Sequence, residues 1–293
     1  MLSKNSSISI VIPIYNEEEC LNEAIERLLK LREKLIQINL VVELIFVNDG
    51  SDDKTLQIIQ LASKSMPYIK VISFSRNFGH QIAISAGIHN STGSYVAIID
   101  ADLQDPPELI FDMYKLAVTG YDVVYGQRRK RAGESLFKKI SAKLFYRILS
   151  SISETKIPLD TGDFRIISRK VVDAFNEFPE RHRYIRGMIA WIGFRSIAYK
   201  YDREERFAGV TKFPLVKMLS FALNAVFSFS GKPLKIMTNL GLVILLFGII
   251  GVFYMLYLKL FTSETIPGLT TVLLAIVIFS GTQILLIGLL GEY

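Results

Sequence analysis

Two aspartates one residue apart, Asp100 and Asp102, have the spacing that most directly indicates chemistry in this chain. They follow an apolar run, 95–99, that predicts a buried strand, and alternation along an extended chain would direct both carboxylates to one side. Like charges this close repel, and a divalent cation between them lets both stay ionised. Hard ions take oxygen ligands and often share them with substrate phosphates, and Gln104 offers a third oxygen. The pattern predicts an Mg²⁺ or Mn²⁺ site at Asp100, Asp102 and Gln104, with a solvated acidic turn as the alternative.

Four short apolar runs, at 9–14, 41–47, 68–74 and 95–99, alternate with segments of helical periodicity. This alternation predicts an α/β fold with a mostly parallel sheet and helices on both faces. Each run ends in polar residues or glycine, and ligands bind at the carboxyl edge of such sheets. That edge would collect Asn16, Glu17, Asp49, Asp52, Asn77, Gln81, Asp100 and Asp102. Neither GxGxxG nor GxxxxGKS/T occurs, so a metal and basic side chains are expected to hold a diphosphate.

The net charge of +6 favours an anionic partner, and the single cysteine, Cys20, excludes an internal disulfide. A basic run at 128–131 does not favour nucleic-acid binding, because no aromatic residues lie among its charges. Apolar residues at helical spacing, flanked by lysines, predict a helix at about 134–150. It lies either on an anionic membrane surface or on the domain as an ordinary amphipathic helix, and the two readings are equally favoured.

A second polar segment, 160–165, reads as a turn before an apolar strand and contains Asp160, Asp163 and Arg165. Taken alone, an acid beside an arginine is most often a structural ion pair. A basic loop that includes Arg206 and Lys212 has the charge to neutralise a diphosphate, although such residues are usually solvated.

Two long uncharged runs, at about 236–258 and 266–290, predict a transmembrane hairpin. An amphipathic helix at about 213–230 precedes them. Lysines before the first run place the N-terminal domain in the cytoplasm by the positive-inside rule. The expected organisation is a cytoplasmic domain of residues 1–230 and a membrane segment of residues 231–293.

The motifs together resemble one known family through nearly the whole chain. They are Val11-Ile-Pro-Ile-Tyr-Asn-Glu17, Val47-Asn-Asp-Gly-Ser-Asp52, Arg76-Asn-Phe-Gly-His-Gln81, Asp100-Ala-Asp-Leu-Gln-Asp-Pro-Pro-Glu108, Asp160-Thr-Gly-Asp-Phe-Arg165 and the segment from Arg206 to Lys212. The chain resembles the family 2 glycosyltransferases of GT-A fold, in the polyprenyl-phosphate branch. That branch includes dolichol-phosphate mannose synthase and the bacterial undecaprenyl-phosphate glucosyltransferases of the GtrB type.

The resemblance implies a role for each matching position. The nucleotide sugar would contact Pro13, Tyr15, Asn16, Glu17, Asp49, Ser51, Asn77, Gln81, Asp100 and Ala101. Asp100, Asp102 and Gln104 would hold Mg²⁺ or Mn²⁺ on the diphosphate. Asp163, with Asp160 and Arg206, would lie at the reacting centre, where Asp163 acts as a base or positions the substrate. Phosphates would meet Arg128, Arg131, Arg206 and Lys212.

The implied reaction is inverting transfer of a sugar from a nucleotide sugar, with UDP-glucose favoured, to undecaprenyl phosphate at the cytoplasmic face of the inner (plasma) membrane. GDP-mannose, UDP-N-acetylglucosamine and aminoarabinose donors stay open, as do a non-catalytic membrane scaffold and self-association through the hairpin. A processive polysaccharide synthase is disfavoured, because Trp191 lies outside any Gln-x-x-Arg-Trp motif. Membrane lipids are expected partners and nucleic acid is not.

Overall fold

The computed structural model describes residues 6–129, 161–180, 183–203, 232–261 and 268–292. Within these ranges the strands and helices are β1 Ser7–Ile14, α1 Leu21–Gln37, β2 Val41–Asn48, α2 Thr55–Ser65, β3 Ile69–Ser73, α3 His80–His89, β4 Tyr95–Ile98, α4 Leu109–Ala117, β5 Val123–Arg128, β6 Thr161–Ser168, α5 Arg169–Asn176, α6 Ile185–Ile192, β7 Ser196–Tyr201, α7 Lys232–Phe261 and α8 Leu269–Glu292.

One sheet carries all the described strands, in the order β3-β2-β1-β4-β6-β5-β7. Neighbouring strands are parallel except at β6, which runs antiparallel to both β4 and β5. The mostly parallel α/β architecture confirms the predicted fold class. Because β6 is reversed, its first residues lie where β4 and β5 end, with Arg165 opposite Ile98 and Thr161 opposite Gln127. The start of β6 therefore reaches the carboxyl edge of the parallel strands.

The strand β1 lies inside the sheet, between β2 and β4, and its residues are buried on both faces. Ile8, Ile10 and Ile12 are fully buried in a core shared with α1 and α4. Helix α1 covers this face through a stripe that includes Leu28 and Leu35, which recur at helical spacing. Burial of each such side chain contributes about 1.5–3 kcal/mol, so the centre of the sheet provides a rigid base for the loops at its edge.

The structure corrects two local expectations. Segment 161–165 is part of strand β6 rather than a turn. Helix α3 begins at His80, so His80 and Gln81 lie in its first turn. Strand β4 ends at Ile98, and the chain then turns through Asp100 and Asp102. The argument that an extended chain aligns the two carboxylates is therefore wrong. Helices α5 and α6 had no counterpart in the sequence prediction.

Helices α7 and α8 form a second compact unit and pack against each other. Each contains a stretch long and apolar enough to cross a membrane, Lys235–Leu258 and Thr271–Gly291, both with mean hydropathy 2.5. Glycines allow close contact between the helices, because a Cβ on Gly241 would lie 2.6 Å from the backbone nitrogen of Leu285. The predicted helices at 134–150 and 213–230 and the boundary at 230–231 lie outside the described residues.

Candidate active site

Hydrogen bonds join the segments that follow β1 and β2. The backbone N–H of Asn16 donates to Ser51 Oγ at 3.0 Å, and the N–H of Asp52 donates to Asn16 Oδ1 at 2.9 Å. The N–H of Glu17 donates to Thr55 Oγ1 at 2.8 Å, at the start of α2. Because these bonds connect two different strands of the sheet, the predicted nucleotide-sugar residues Asn16, Glu17 and Ser51 are brought together at its carboxyl edge.

Asp49 holds the loop that leads into α3. Its carboxylate accepts from the backbone N–H of Phe78 at 2.7 Å, from that of Gly79 at 3.0 Å, and from Asn77 Nδ2 at 3.0 Å. Gly79 has a φ of 104°, a conformation that glycine adopts without the steric cost of a Cβ. The structure thus pairs the predicted residues Asp49 and Asn77 with each other, and Asp49 serves at least to fix this loop.

Asp100 and Asp102 follow β4 at the same edge. Asp100 Oδ1 lies 2.8 Å from His80 Nε2, and Asp102 Oδ1 accepts from the backbone N–H of Gln104 at 3.1 Å. Burial lowers the pKa of His80, but the Asp100 and Asp163 carboxylates more than offset this and raise it to about 9. His80 is therefore protonated at neutral pH and donates to Asp100. Burial acts to raise the pKa of Asp100, and the His80 charge brings it below its usual range.

The donor set at this turn fits a hard divalent ion. Asp100 and Asp102, with one residue between them, supply carboxylate oxygens, the ligand type that Mg²⁺ and Mn²⁺ prefer. Within the described ranges, no group of three or more His, Cys, Asp and Glu side chains is arranged to hold a metal. A two-carboxylate site of this kind fits an ion that completes its ligands with substrate oxygens, as Mg²⁺ commonly does with phosphates.

Asp163 lies near the start of β6 and is 3% exposed. Arg186, in the first turn of α6, donates to it twice, from Nε to Oδ1 at 2.8 Å and from Nη2 to Oδ2 at 2.9 Å. Gln81 Nε2 donates to the same Oδ2 at 3.0 Å. Burial acts to raise the pKa of Asp163, but the Arg186 guanidinium and the His80 and Arg165 charges hold it well below its usual range. Asp163 is therefore ionised across the physiological range.

Arg165 and Arg186 together line a cavity beside Asp163. The cavity has a volume of about 180 Å³ and is bounded by β5, β6, β7 and α6, with Tyr125 and Phe194 among its apolar walls. Arg165 is 4% exposed and donates to the backbone carbonyl of Gly162 at 2.9 Å. Burial lowers the pKa of Arg165 to about 10, because the charged guanidinium is taken out of water. Both arginines remain cationic at neutral pH.

Asp105 forms a second buried carboxylate at this edge and is 1% exposed. The Tyr201 hydroxyl donates to its Oδ1 at 2.5 Å. Arg128 Nη2 and Arg203 Nε each lie 3.6 Å from one of its oxygens. Burial raises the pKa of Asp105, and the arginines at this distance offset the effect only in part.

The other predicted residues fall into two groups. Among the described ones, Pro13 is buried in β1 opposite Val47, Tyr15 is half-buried, and the Ala101 side chain packs into the hydrophobic core. Arg128, predicted to bind phosphate, lies beside Asp105. Asp160, Arg131, Arg206 and Lys212 lie outside the described residues.

Sequence reasoning gave no site role to four residues that the structure places here: His80, Asp105, Arg186 and Tyr201. His80 and Asp105 lie within the quoted motifs, so their positions next to the predicted site residues Gln81 and Gln104 were a usable signal. Arg186 and Tyr201 lie in no motif. They reach the site through strand and helix packing, which a single sequence does not reveal.

Comparison with known proteins gives concordant results. A family model described as glycosyl transferase family 2 matches residues 9–175. YkcC of Bacillus subtilis strain 168, described as an uncharacterised glycosyltransferase, is 46% identical over 292 residues, 100% of this chain and 90% of that protein. A bactoprenol glucosyl transferase of Shigella phage SfX is 36% identical over 286 residues, 98% of this chain and 93% of that protein.

Solved structures agree on the fold. The mannosyltransferase PcManGT from Pyrobaculum calidifontis, solved in complex with GDP-Man and Mn²⁺, is similar with a TM-score of 0.53 and 19% identity. The match covers 77% of this chain and 64% of that enzyme, so this chain spans less than two thirds of its length. At this identity the likeness supports the GT-A fold of the catalytic domain and carries no information on substrate.

Proposed function

Because this chain belongs to glycosyl transferase family 2, we propose that it transfers a sugar from a nucleotide sugar, UDP-glucose, to a polyprenyl phosphate, undecaprenyl phosphate. The acceptor class is supported by the relative that is named a bactoprenol glucosyl transferase and that matches over 98% of this chain. Two long apolar helices at the C-terminus support association with a membrane, where such an acceptor resides. We place the enzyme in the inner membrane with its catalytic domain in the cytoplasm.

The observation that carries the proposal is the position of Asp100 and Asp102. They lie at the carboxyl edge of a parallel sheet, next to the hydrogen-bonded segments that follow β1 and β2. Open α/β sheets bind their ligands at this edge. A nucleotide seated against Asn16 and Ser51 would direct its diphosphate toward the two aspartates.

The chemistry requires little from a proton acceptor. A phosphate oxygen of the acceptor is already an anion near pH 7 and attacks the anomeric carbon of the sugar. The new C–O bond forms as the C–O bond to the nucleoside diphosphate breaks, and attack opposite the leaving group inverts the anomeric configuration. No proton needs to move, so the main tasks are to offset the repulsion between two anions and to stabilise the departing diphosphate.

Different residues of this chain would neutralise the phosphates and hold the nucleoside. Asp100 and Asp102, with Gln104, would hold Mg²⁺ or Mn²⁺, which when bound supplies positive charge to the diphosphate. Arg128, with the predicted Arg131, Arg206 and Lys212, supplies cations for donor and acceptor phosphates. Asn16 and Asp49 fix the loops against which the nucleoside is held.

A donor screen tests the function directly. The full chain, purified in detergent, is mixed with undecaprenyl phosphate, Mg²⁺ and one radiolabelled nucleotide sugar at a time, and label in the lipid phase is counted. We expect UDP-glucose to label the lipid. If only GDP-mannose labels the lipid, GDP-mannose and not UDP-glucose is the donor. If the protein is folded and no donor labels the lipid, the proposal is wrong.

Removal of one aspartate tests the metal role. We expect Asp102→Ala to reduce transfer by at least about 10²-fold while its thermal unfolding stays close to that of the wild type. Asp112→Ala is a matched control, because Asp112 is an exposed aspartate on α4 that pairs with Lys115. EDTA should abolish transfer and Mn²⁺ or Mg²⁺ should restore it, whereas full activity in EDTA would refute a metal site.

A further inference from the structure

We propose that Arg186 is a positioning residue of the transfer reaction, and that the Asp163 carboxylate it holds orients the reacting groups and accepts no proton. The inference rests on the proposed function and adds to it a residue, Arg186, and a specific role for Asp163. It follows from the hydrogen bonds around Asp163, from its burial and from the charge balance of the reaction.

The contact between Arg186 and Asp163 is bidentate. The guanidinium presents Nε and Nη2 to the two carboxylate oxygens at 2.8 and 2.9 Å. Paired N–H groups in this fork geometry fix both the distance and the plane of a carboxylate. Asp163 is 3% exposed, so water does not compete for its oxygens, and its orientation is set by the position of α6.

A second contact, from Gln81 on α3, helps to fix the same carboxylate. Gln81 Nε2 donates to Asp163 Oδ2, and Gln81 Oε1 accepts from the backbone N–H of Ile185 at 3.0 Å. Gln81 thus joins the start of α3 to β6 and to the residue that precedes Arg186. Three elements of the fold converge on Asp163, and both its oxygens are occupied by N–H donors.

These contacts leave Asp163 unsuited to act as a base. A proton placed on either oxygen would displace or weaken a charge-assisted hydrogen bond in a site that excludes water, which costs more than the loss of a neutral one. The acceptor phosphate supplies an oxygen that is already ionised, so the C–O bonds are exchanged without a proton transfer. A fixed negative charge beside the two cations Arg165 and Arg186 is therefore a positioning device.

His80 connects this pair to the predicted diphosphate site. Its Nδ1 lies 3.7 Å from Asp163 Oδ2 and its Nε2 lies 2.8 Å from Asp100 Oδ1. The Asp163 carboxylate and the Asp100 carboxylate are held at opposite sides of one imidazole ring. A shift of Asp163 after loss of Arg186 is thus transmitted to Asp100, and the geometry of transfer changes while the nucleotide-binding segments at Asn16 and Ser51 stay in place.

The test compares Arg186→Gln, Arg186→Lys, Asp163→Asn and the double variant Asp163→Asn/Arg186→Gln in the full chain. Transfer is measured with the donor that labels the lipid for the wild type. For Arg186→Gln we expect kcat to fall about 10²-fold, with the donor KM changed less than about twofold, because the interaction serves the transition state. Asp163→Asn should lose a similar factor. Residues that act as a unit are non-additive, so the double variant should fall no more than about threefold below the lower single variant.

The pH profile separates a positioning role from a base. Among the described residues, the charged or titratable groups that act on Asp163 or on its arginines are Arg186, Arg165, Arg128, His80, Asp100 and Tyr184. If Asp163 were the base, removal of Arg186 would raise its pKa, and Arg186→Gln would regain wild-type kcat at pH 8–9 while Asp163→Asn stayed inactive. We expect instead that the profile of Arg186→Gln parallels that of the wild type from pH 5 to 9. Recovery at high pH, or wild-type kcat for Arg186→Gln at every pH, would overturn the inference.

Control variants distinguish a wrong role for Arg186 from misfolding and from failure of the proposed function. Arg195→Gln removes an arginine just before β7 whose guanidinium stacks on Tyr121 and which is not among the residues that line the cavity, and it should leave kcat unchanged. Arg186→Lys retains the charge without the fork and should recover part of the lost kcat. If Arg186→Gln unfolds, the double variant removes both members of the bidentate pair, so that the Asp163 charge is not left without Arg186. If the wild type itself labels no lipid with any donor, the proposed function fails. If the wild type labels lipid and the Arg186 variants match it, the inference alone fails.

Discussion

The carboxylates of Asp163 and Asp105 lie at the same edge of the sheet and are buried to a similar degree, with 3% and 1% exposure. Each has two arginines within 4 Å. Arg186 contacts Asp163 directly at 2.8 and 2.9 Å, whereas Arg128 and Arg203 approach Asp105 only to 3.6 Å. The pKa of Asp163 is lowered and that of Asp105 is raised.

The difference shows that cations near a buried carboxylate do not by themselves offset its desolvation. At an effective dielectric constant of about 20, moving a unit charge from 2.8 to 3.6 Å weakens its attraction by only about 1 kcal/mol. The Arg186 charge in direct contact lowers the pKa of Asp163 most, its hydrogen bonds lower it further, and the His80 and Arg165 charges add to the effect. Among the described residues, Asp105 accepts within hydrogen-bond distance from the Tyr201 hydroxyl alone. The pKa of Asp163 is thus lowered by a cation in direct contact and by two further positive charges, whereas the Asp100 charge adds to the effect of burial in raising that of Asp105.

The two sites also differ in whether their arginines retain N–H donors for a ligand. At Asp163, Arg186 commits two N–H donors to one carboxylate. At the Asp105 site, Arg128 and Arg203 approach only to 3.6 Å, and in the sequence they come shortly before the predicted phosphate-binding residues Arg131 and Arg206. Cations held loosely by a buried acid keep donors for an incoming phosphate, in accord with the proposed role of Arg128.

The largest expected effect is the difference in stability between the alanine variants of the two aspartates. Asp163→Ala leaves the buried Arg165 and the partly exposed Arg186 without their carboxylate and removes two direct hydrogen bonds, and we expect the free energy of unfolding to fall by about 3–5 kcal/mol. Asp105→Ala should cost about 1–3 kcal/mol, because Arg128 and Arg203 lie 3.6 Å away and lose no direct hydrogen bond to the carboxylate. Thermal unfolding in detergent, where 1 kcal/mol corresponds to about 2–4 °C in Tm, resolves the two values. An equal or larger loss for Asp105→Ala would show that the direct contacts do not matter.

The fold, and the part of the site that follows β1 and β2, could be predicted from the sequence because both depend on local patterns. The apolar runs at 9–14 and 41–47 fix two parallel strands, and polar residues such as Asn16 and Asp49 follow them directly. The other half depends on pairing at a distance. The reversal of β6, which turns 161–165 into a strand, and the contact of Arg186 with Asp163 are set by packing between separate segments, and no periodicity in the sequence encodes them.

A third carboxylate, Glu43 on β2, shows outside the site how direct contacts lower the pKa of a buried carboxylate. It accepts from Ser9 Oγ, from the backbone N–H and the hydroxyl of Thr92, and contacts Lys70. Burial acts to raise its pKa, but Lys70, Ser9 and Thr92 lower it to about 2. A pKa below the unfolded value means that Glu43 stabilises the fold above about pH 4.5 and that this contribution is lost as the pH falls toward 2.

The prediction for Glu43 is a pH-dependent difference in stability. At pH 7, Glu43→Gln should lower the free energy of unfolding by about 2–3 kcal/mol, and its deficit relative to the wild type should shrink between about pH 4.5 and 2. Glu26→Gln is the control, because Glu26 forms an exposed pair with Lys30 on α1 and should leave stability unchanged. If the deficit stays constant down to pH 2, the lost stability comes from altered packing of the side chain and not from the loss of its charge.

The smallest expected effect is loss of the single hydroxyl that donates to Asp105. Tyr201→Phe keeps the ring, which packs edge-to-face on Phe164 at 5.6 Å, and removes the donor. We expect a loss of about 1–2 kcal/mol in thermal unfolding, because a buried carboxylate then depends on arginines 3.6 Å away. Tyr199→Phe, on the same strand with its hydroxyl near Asp112, should cost less because that site is partly exposed. If Tyr201→Phe matched Tyr199→Phe, the arginines alone would suffice to hold Asp105, and the contrast with Asp163 would reduce to distance.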